Sequence, residues 1–171
     1  MLFATAVVVS IAMAGTVALA QEGPNQMNGS SIQLDGEFGY ASGASDSLNL
    51  GGKSMAVQMW VKHDGTSDED ATLVRKGNGG FEARFVGSGE ERPIYFDLGR
   101  SFQSITSNSG IPANQWTHVT VNYDGNNLQI YINGELDAET GENADIDTDT
   151  GGPFRIGIGP SESSARYDGQ I

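Results

Sequence analysis

The chain contains no cysteine, so no disulfide framework can stabilise its fold. Basic residues are also few, because nine lysines and arginines stand against 22 aspartates and glutamates, a formal net charge of −13. Such a negative field repels nucleic acid and anionic membrane surfaces, which carry charge of the same sign. The composition therefore favours cations and neutral ligands as partners, and stability must come from a packed core with, at most, the help of a bound metal.

Long apolar runs are also missing, except at the amino terminus, where residues 2–20 read LFATAVVVSIAMAGTVALA. Ala18-Leu19-Ala20 before Gln21 matches the small-x-small pattern of a signal-peptidase site. A membrane anchor is the alternative, since the run nearly reaches the ~20 residues that a span needs. Small and polar residues dilute the run, however, and no basic stop-transfer cluster follows it. The sequence predicts a signal peptide over residues 1–20, cleaved between Ala20 and Gln21, then a flexible leader over residues 21–30.

Helical periodicity is absent from residues 31–171, a length that suits one domain. Short apolar runs alternate there with clusters of glycine, asparagine, aspartate and serine, which is typical of an all-β sandwich. The expected strands are Ser31–Asp35, Ser54–Lys62, Ala71–Lys76, Gly80–Val86, Pro93–Leu98, Phe102–Thr106, Trp116–Tyr123, Leu128–Asn133, Phe154–Ile158 and Arg166–Ile171.

The segment from Asn114 to Gly134 carries the clearest local pattern. Apolar and polar residues alternate from Val119 to Tyr123, as on a strand with one buried face. Asp124-Gly125 interrupts the run, the alternation resumes at Leu128, and Asn133-Gly134 follows as a strong hairpin-turn signal. The pattern predicts two antiparallel strands that are followed, after the second turn, by a return strand.

This Trp-led strand, its glycine turn and its Tyr-x-Asn-Gly ending resemble the laminin G-like branch of the concanavalin A-type jelly rolls. The resemblance continues in Ser31–Gly36, in the Trp-Val-Lys of residues 60–62, in Phe154–Gly157 and in Tyr167–Ile171. It implies a jelly-roll β-sandwich of two antiparallel sheets in an exported, non-catalytic module that binds a glycan or an extracellular protein. A purely structural module of a larger surface protein is the alternative.

Relatives in this family normally continue beyond the position of Ile171 through an acidic pair and a further apolar strand. The resemblance therefore implies that the domain over residues 31–171 lacks its last strand and that the sequence is a fragment of a longer protein with other domains. Secretion, a periplasmic location or attachment to the cell surface is expected from the signal peptide.

Sugar-binding sites in such folds combine an aromatic stacking surface with a few polar groups. Trp60 and Tyr95 are the candidates for stacking, and Asn78 and Asn108 are the polar candidates in predicted loops. Trp60 lies on the more polar face of its predicted strand, where packing beneath a loop is the competing explanation.

The stretch Glu135-x-Asp137-x-Glu139 matches the signature of laminarinase-type glucanases, which share the jelly-roll sandwich. By that resemblance Glu135 is the nucleophile, Glu139 the acid/base and Asp137 the group that tunes them. On a regular strand the three carboxylates would share one face. The motif begins directly after a hairpin turn, however, and no cluster of aromatic residues near it lines a glucan cleft. We therefore expect no enzyme, with a β-glucanase as the alternative.

Calcium is the one cofactor that the sequence suggests, since it needs several oxygen ligands. The family resemblance implies that Asp35 and Asp168 lie side by side and hold one cation. Two acidic segments, Asp64–Asp70 and Asp145–Gly151, have the composition of calcium loops but do not fit the EF-hand spacing. Charge runs of this kind are usually solvated turns.

Overall fold

The computed structural model describes residues 31–43, 51–52, 54–77, 80–99, 103–141, 146–147, 152–160 and 165–171. Within these ranges the chain forms β-strands and turns, and none of it is α-helical. The strands are β1 (Gln33–Asp35), β2 (Ala41–Gly43), β3 (Gly51–Gly52), β4 (Met55–His63), β5 (Thr72–Lys76), β6 (Phe81–Phe85), β7 (Glu91–Asp97), β8 (Ser104–Pro112), β9 (Thr117–Tyr123), β10 (Asn127–Ile132), β11 (Glu135–Gly141), β12 (Ile146–Asp147), β13 (Phe154–Ile156) and β14 (Asp168–Gln170).

These strands form two six-stranded antiparallel sheets. The first sheet has the order β1-β14-β4-β9-β10-β11, and the second has the order β2-β13-β5-β6-β7-β8. Strands β3 and β12 pair separately as a two-stranded ribbon. The prediction of an all-β sandwich with two antiparallel sheets is confirmed.

The core lies between the inner faces of the two sheets. In β9, Val119, Val121 and Tyr123 are buried, while the residues between them are half-buried on the outer face. In β6 of the second sheet, Phe81 and Phe85 are buried in the same alternating way. Each strand therefore contributes one apolar face, which is the pattern that removes the most apolar surface from water.

The hairpin turns take the backbone conformations that their residues favour. Asn133 and Gly134 between β10 and β11 have φ values of 52° and 86°, and Gly125 between β9 and β10 has a φ of 101°. Positive φ at two successive positions suits the strand twist of a tight hairpin, and asparagine followed by glycine adopts it at low cost. The predicted double hairpin is confirmed.

One strand differs clearly from the sequence prediction. Strand β8 runs to Pro112, whereas the alternation predicted a strand that ends at Thr106. The pairing with β7 passes from Thr106 directly to Gly110, so the residues between them bulge out of the ladder and disturb the period-two pattern.

The predicted signal peptide (residues 1–20, with Ala20 and Gln21) and the leader over residues 21–30 lie outside the described residues. In the part of the chain that is described, no helix has the length and apolarity of a membrane span.

Candidate functional site

Trp60 and Tyr95, two of the four residues predicted to bind a ligand, lie on opposite faces of the sandwich. Trp60 is on the outer face of the first sheet, opposite His118 of the neighbouring strand. Tyr95 is on the outer face of the second sheet, opposite Thr106, so the thickness of the sandwich separates it from Trp60. Asn108 lies in the exposed bulge of β8, and Asn78 is outside the described residues. Trp60 and Tyr95 therefore cannot line one binding surface.

The outer face of the second sheet carries a row of four charged side chains. Arg155 of β13 pairs with Arg75 of β5, Arg75 with Glu82 of β6, and Glu82 with Asp97 of β7. We call these four residues the charged row. Partners in an antiparallel ladder project to the same side, so the row presents two positive charges beside two negative ones.

A β-bulge in β5 places Arg75 in this row. The pairing with β6 is irregular between Thr72 and Val74, and both Leu73 and Val74 are buried in the core. Strict alternation would turn Arg75 towards the core together with Leu73. The extra residue shifts the alternation by one, so that Thr72 and Arg75 both belong to the outer face.

The positive half of the row has hydrogen-bond donors without acceptors. Arg75 is only 6% exposed; its Nη2 donates to the Gly77 carbonyl at 2.7 Å, while its Nε and Nη1 have no partner. Arg155 donates from Nη1 to the carbonyls of Pro160 at 3.0 Å and Gly159 at 3.3 Å, and its buried Nε has no partner. Burial lowers the pKa of the Arg75 guanidinium; the nearby Glu82 charge opposes this shift, and the neighbouring Arg155 charge adds to it. Three buried N–H donors therefore lie in one cross-strand pair.

The negative half of the row is partly buried as well. Burial raises the pKa of the Asp97 carboxyl and repulsion from Glu82 adds to the rise, whereas a hydrogen bond from the Gly99 N–H at 2.8 Å opposes it. Glu82 accepts a hydrogen bond from the Thr72 hydroxyl at 2.7 Å. Both carboxylates retain acceptor capacity that a hydroxylated ligand can use.

Tyr95 lies beside the charged row but is covered. The Arg84 guanidinium lies 4.5 Å from the centroid of the Tyr95 ring, and the same arginine forms a 2.9 Å ion pair with Asp70. The ring face that a sugar would stack on therefore already has a cation as its partner.

The outer face of the first sheet is polar and less charged. Trp60 is half-buried, with its ring centroid 5.1 Å from that of His118. Nearby, the Gln129 side chain accepts hydrogen bonds from Asn122 and Tyr131 and donates to Glu139 at 2.5 Å. The amide groups of this face are thus largely satisfied by one another.

An acidic corner, formed by Asp35, Asp64 and Asp168, lies where β1 and β14 pair. Asp35 is opposite Asp168 in the ladder, as the family resemblance implied. The hydroxyl of Thr66 lies 2.6 Å from a carboxylate oxygen of Asp64 and 3.4 Å from one of Asp168. Partial burial raises the pKa of Asp168, and the nearby charges of Asp64 and Asp35 raise it further.

The side chains of this corner fall short of a complete calcium site. The Oδ1 atom of Asp35 accepts N–H groups from Gly39, Phe38 and Glu37 at 2.8 to 3.0 Å, which lowers the pKa of Asp35 to about 2. Among the described residues, no group of three or more histidine, aspartate or glutamate side chains is arranged to hold a metal ion. Calcium takes about six to eight oxygen ligands, so backbone carbonyls and water would have to supply most of them.

The two acidic segments have structural contacts where they are described. In the Asp64–Asp70 segment, the Asp68 side chain accepts the Arg166 N–H at 2.8 Å. Arg92, which is fully buried, donates from Nη2 to the carbonyls of Asp68 at 2.6 Å and Glu69 at 2.7 Å. No motif in the sequence points to this buried arginine, which anchors the loop that carries Asp64. Most of the Asp145–Gly151 segment lies outside the described residues.

Glu135 and Glu139 do not share one face of β11, as the glucanase alternative requires. The β10–β11 pairing has a bulge between Ile130 and Tyr131, and Asp137 is the unpaired residue. Glu135 consequently pairs with Ile132, on the core side of β10, while Glu139 pairs with Gln129 on the outer side. A retaining glycosidase needs both carboxylates on one cleft, about 5–5.5 Å apart, and opposite faces of a strand do not provide that.

Asp137 connects the edges of the two sheets. Its carboxylate accepts the backbone N–H of Asn108 at 2.6 Å and that of Ser109 at 3.2 Å, and its carbonyl accepts the Asn108 side-chain amide. These are the groups that the bulge in β8 removes from the ladder, so Asp137 satisfies them from the opposite sheet. Both Asp137 and Asn108 thus have structural partners.

Comparison with known proteins gives one family and several structures of the same fold. A laminin G family model, described as the concanavalin A-like lectin/glucanases superfamily, matches residues 35–171. A Bacteroides ovatus protein described as carbohydrate binding is similar at 18% identity and a TM-score of 0.59, with 81% of this chain and 42% of that chain covered. The LG1-3 region of the laminin α2 chain is similar at 19% identity and a TM-score of 0.59, with coverages of 82% and 29%.

A third similar structure is the CBM40 module of the Ruminococcus gnavus IT-sialidase bound to α2,3-sialyllactose. It shows 15% identity and a TM-score of 0.64, with 82% of this chain and 85% of that chain covered. The chain spans less than half the length of the B. ovatus and laminin structures. Among curated protein sequences, none matches this chain. Because the family match extends from residue 35 to residue 171, the chain belongs to the laminin G-like family of the concanavalin A-like lectin/glucanases superfamily.

Proposed function

We propose that the chain is a non-catalytic carbohydrate-binding module that acts outside the cell, with the charged row as its ligand surface. The observation that carries the proposal is the unsatisfied pair of arginines beside two partly buried carboxylates on one sheet face. Sugar hydroxyls donate and accept hydrogen bonds, so a face with fixed donors next to fixed acceptors suits them. The similar structures described as binding carbohydrate support the same class of ligand.

A glycan array followed by isothermal titration calorimetry tests this proposal. Asp97→Asn keeps the shape of the side chain but removes the charge of the acceptor. We expect it to weaken the binding of every recognised glycan by about tenfold or more, because a hydrogen bond to a charged group contributes about 1.5–3 kcal/mol. Gln58→Ala, an exposed position on the outer face of the first sheet, is the control. If Asp97→Asn binds the glycan with wild-type affinity and Trp60→Ala binds it more weakly, the binding site lies on the first sheet instead.

The absence of catalysis is part of the proposal, since the superfamily also contains glucanases. The opposite orientations of Glu135 and Glu139 support a binding role for this chain. Incubation of the wild type and of Glu135→Gln with β-glucan should release no reducing sugar from either. Hydrolysis by the wild type that Glu135→Gln abolishes would establish the enzyme instead.

Calcium at the acidic corner is a separate proposal. The repulsion that the charges of Asp64 and Asp35 exert on Asp168 supports it, because a divalent cation would relieve that repulsion. Titration of the chelator-treated protein with calcium, followed by calorimetry and by the melting temperature, tests it. An unchanged melting temperature at millimolar calcium would refute calcium binding at the acidic corner and would leave the proposed sugar site unaffected.

A further inference from the structure

We propose that Arg75 and Arg155 form a carboxylate-binding subsite and that the ligand of the charged row is an acidic sugar. The inference rests on the proposed function and narrows its ligand class. A sugar carboxylate would lie on the two guanidinium groups, and the neighbouring hydroxyls of the same sugar would reach Glu82 and Asp97.

The order of charges in the row argues against a purely structural role. Like charges directly opposite each other in a ladder are destabilising, whereas alternating charges would stabilise the sheet. Here Arg155 is opposite Arg75 and Glu82 is opposite Asp97, so two of the three cross-strand pairs in the row join like charges and one, Arg75–Glu82, joins opposite charges. Among the described residues, the one ion pair within 4.0 Å is Arg84–Asp70, which lies outside the row. Within the described part of the chain, Arg75 has Glu82 opposite it in the ladder but no carboxylate oxygen within 4.0 Å, and Arg155 has none within that distance either.

The unpartnered nitrogens of the two guanidinium groups indicate that a carboxylate is a suitable ligand. Buried N–H groups without acceptors cost free energy, and Arg75 and Arg155 together leave three such groups. The carbonyls of Gly77, Gly159 and Pro160 hold one nitrogen of each arginine, which fixes the two side chains, while Nε and Nη1 of Arg75 and Nε of Arg155 have no acceptor. A planar guanidinium matches a carboxylate with two parallel hydrogen bonds, so one carboxylate supplies both the acceptors and the opposite charge.

Burial determines the strength of such a contact. Arg75 is 6% exposed, so an ion pair formed there is shielded from solvent and is screened less by salt than a surface pair. The net charge of −13 favours neutral ligands at long range, but it is an average over the whole chain and does not describe this row. A local pair of arginines can therefore select an anionic sugar even in a strongly acidic protein.

Calorimetry with matched acidic and neutral sugars tests the subsite. The probes are tetragalacturonate, 3′-sialyllactose, lactose and a neutral tetrasaccharide, and the variants are Arg155→Gln and Arg75→Gln. The control is Arg166→Gln, which removes the same charge from a half-buried arginine outside the row. We expect at least one acidic probe to bind about tenfold more tightly than its neutral counterpart, and this preference to disappear in Arg155→Gln but not in the control.

The outcomes separate this inference from the proposed function. Equal binding of acidic and neutral sugars, or an unchanged preference in Arg155→Gln, would overturn the carboxylate subsite and leave carbohydrate binding intact. Binding of none of the sugars on a broad array would overturn both. If Arg75→Gln fails to fold, as judged by circular dichroism, Arg155→Gln decides the result, because Arg155 is half-exposed. A preference for sialyllactose over galacturonate, or the reverse, identifies the source of the carboxylate.

Discussion

Replacing Gly169 in the centre of β14 with alanine tests how the first sheet is assembled. Gly169 has a φ of 144°, and a Cβ atom there would lie 2.7 Å from the Tyr167 hydroxyl and 2.9 Å from the His63 Cα, with the Lys62 carbonyl oxygen closer still. Backbone atoms of β4 would have to move, and such overpacking costs about 1–3 kcal/mol. The positive φ adds about 1–2 kcal/mol for a residue with a side chain. The expected loss is therefore about 2–5 kcal/mol.

Gly134→Ala is the matched control for this substitution. Gly134 has a φ of 86°, but no atom lies within 4 Å of the position that its Cβ would take, so only the backbone strain remains. For a domain of this size, 1 kcal/mol corresponds to about 2–4 °C in melting temperature. Differential scanning calorimetry should show a drop of about 4–20 °C for Gly169→Ala and about 2–8 °C for the control. Equal drops in the two variants would refute the close approach of β14 to β4.

Three further substitutions test individual contacts. Arg92→Met leaves two loop carbonyls without their buried donor, and chemical denaturation should show a loss of about 2–5 kcal/mol; unchanged stability would show that the loop does not depend on this arginine. Asp137→Ala should cost about 1–3 kcal/mol, because it frees the N–H groups of the β8 bulge, whereas Glu139→Ala on the exposed side of the same strand should cost clearly less. Asp168→Asn should raise the melting temperature at pH 7 in the presence of chelator, since the raised pKa of Asp168 means that stability falls as the pH rises through that pKa. The gain should vanish near pH 3, where the carboxyl is protonated in both states, and a gain that is independent of pH would contradict the repulsion.

The sandwich could be predicted from the sequence because its physical signals are local. The alternation in β9 and β10 and the Asn133-Gly134 turn each depend on neighbouring residues, and the structure confirms both. The bulges break the period-two pattern in β5 and β8: the extent predicted for β5 agrees with the structure, whereas the end predicted for β8 does not.

The charged row could not be predicted from the sequence. Arg75, Glu82 and Asp97 lie on three successive strands, but Arg155 is far from them in the sequence, and β13 becomes the neighbour of β5 only through the whole topology. The bulge in β5 also hides the orientation of Arg75, just as the bulge at Asp137 makes a five-residue acidic motif look like a catalytic strand. The sequence also does not show which sheet a strand joins. Trp60 and Tyr95, which are equally plausible stacking residues from the sequence, therefore turn out to lie on opposite sides of the molecule.

The central claim is that carbohydrate binds on the outer face of the second sheet. A titration of the isotope-labelled protein with the tightest-binding oligosaccharide, followed by amide chemical shifts, tests it most directly. We expect the largest shifts in Thr72–Lys76, Phe81–Phe85 and Phe154–Ile156, the strands around Arg75. Shifts concentrated in Met55–His63 and Thr117–Tyr123, around Trp60, would contradict it.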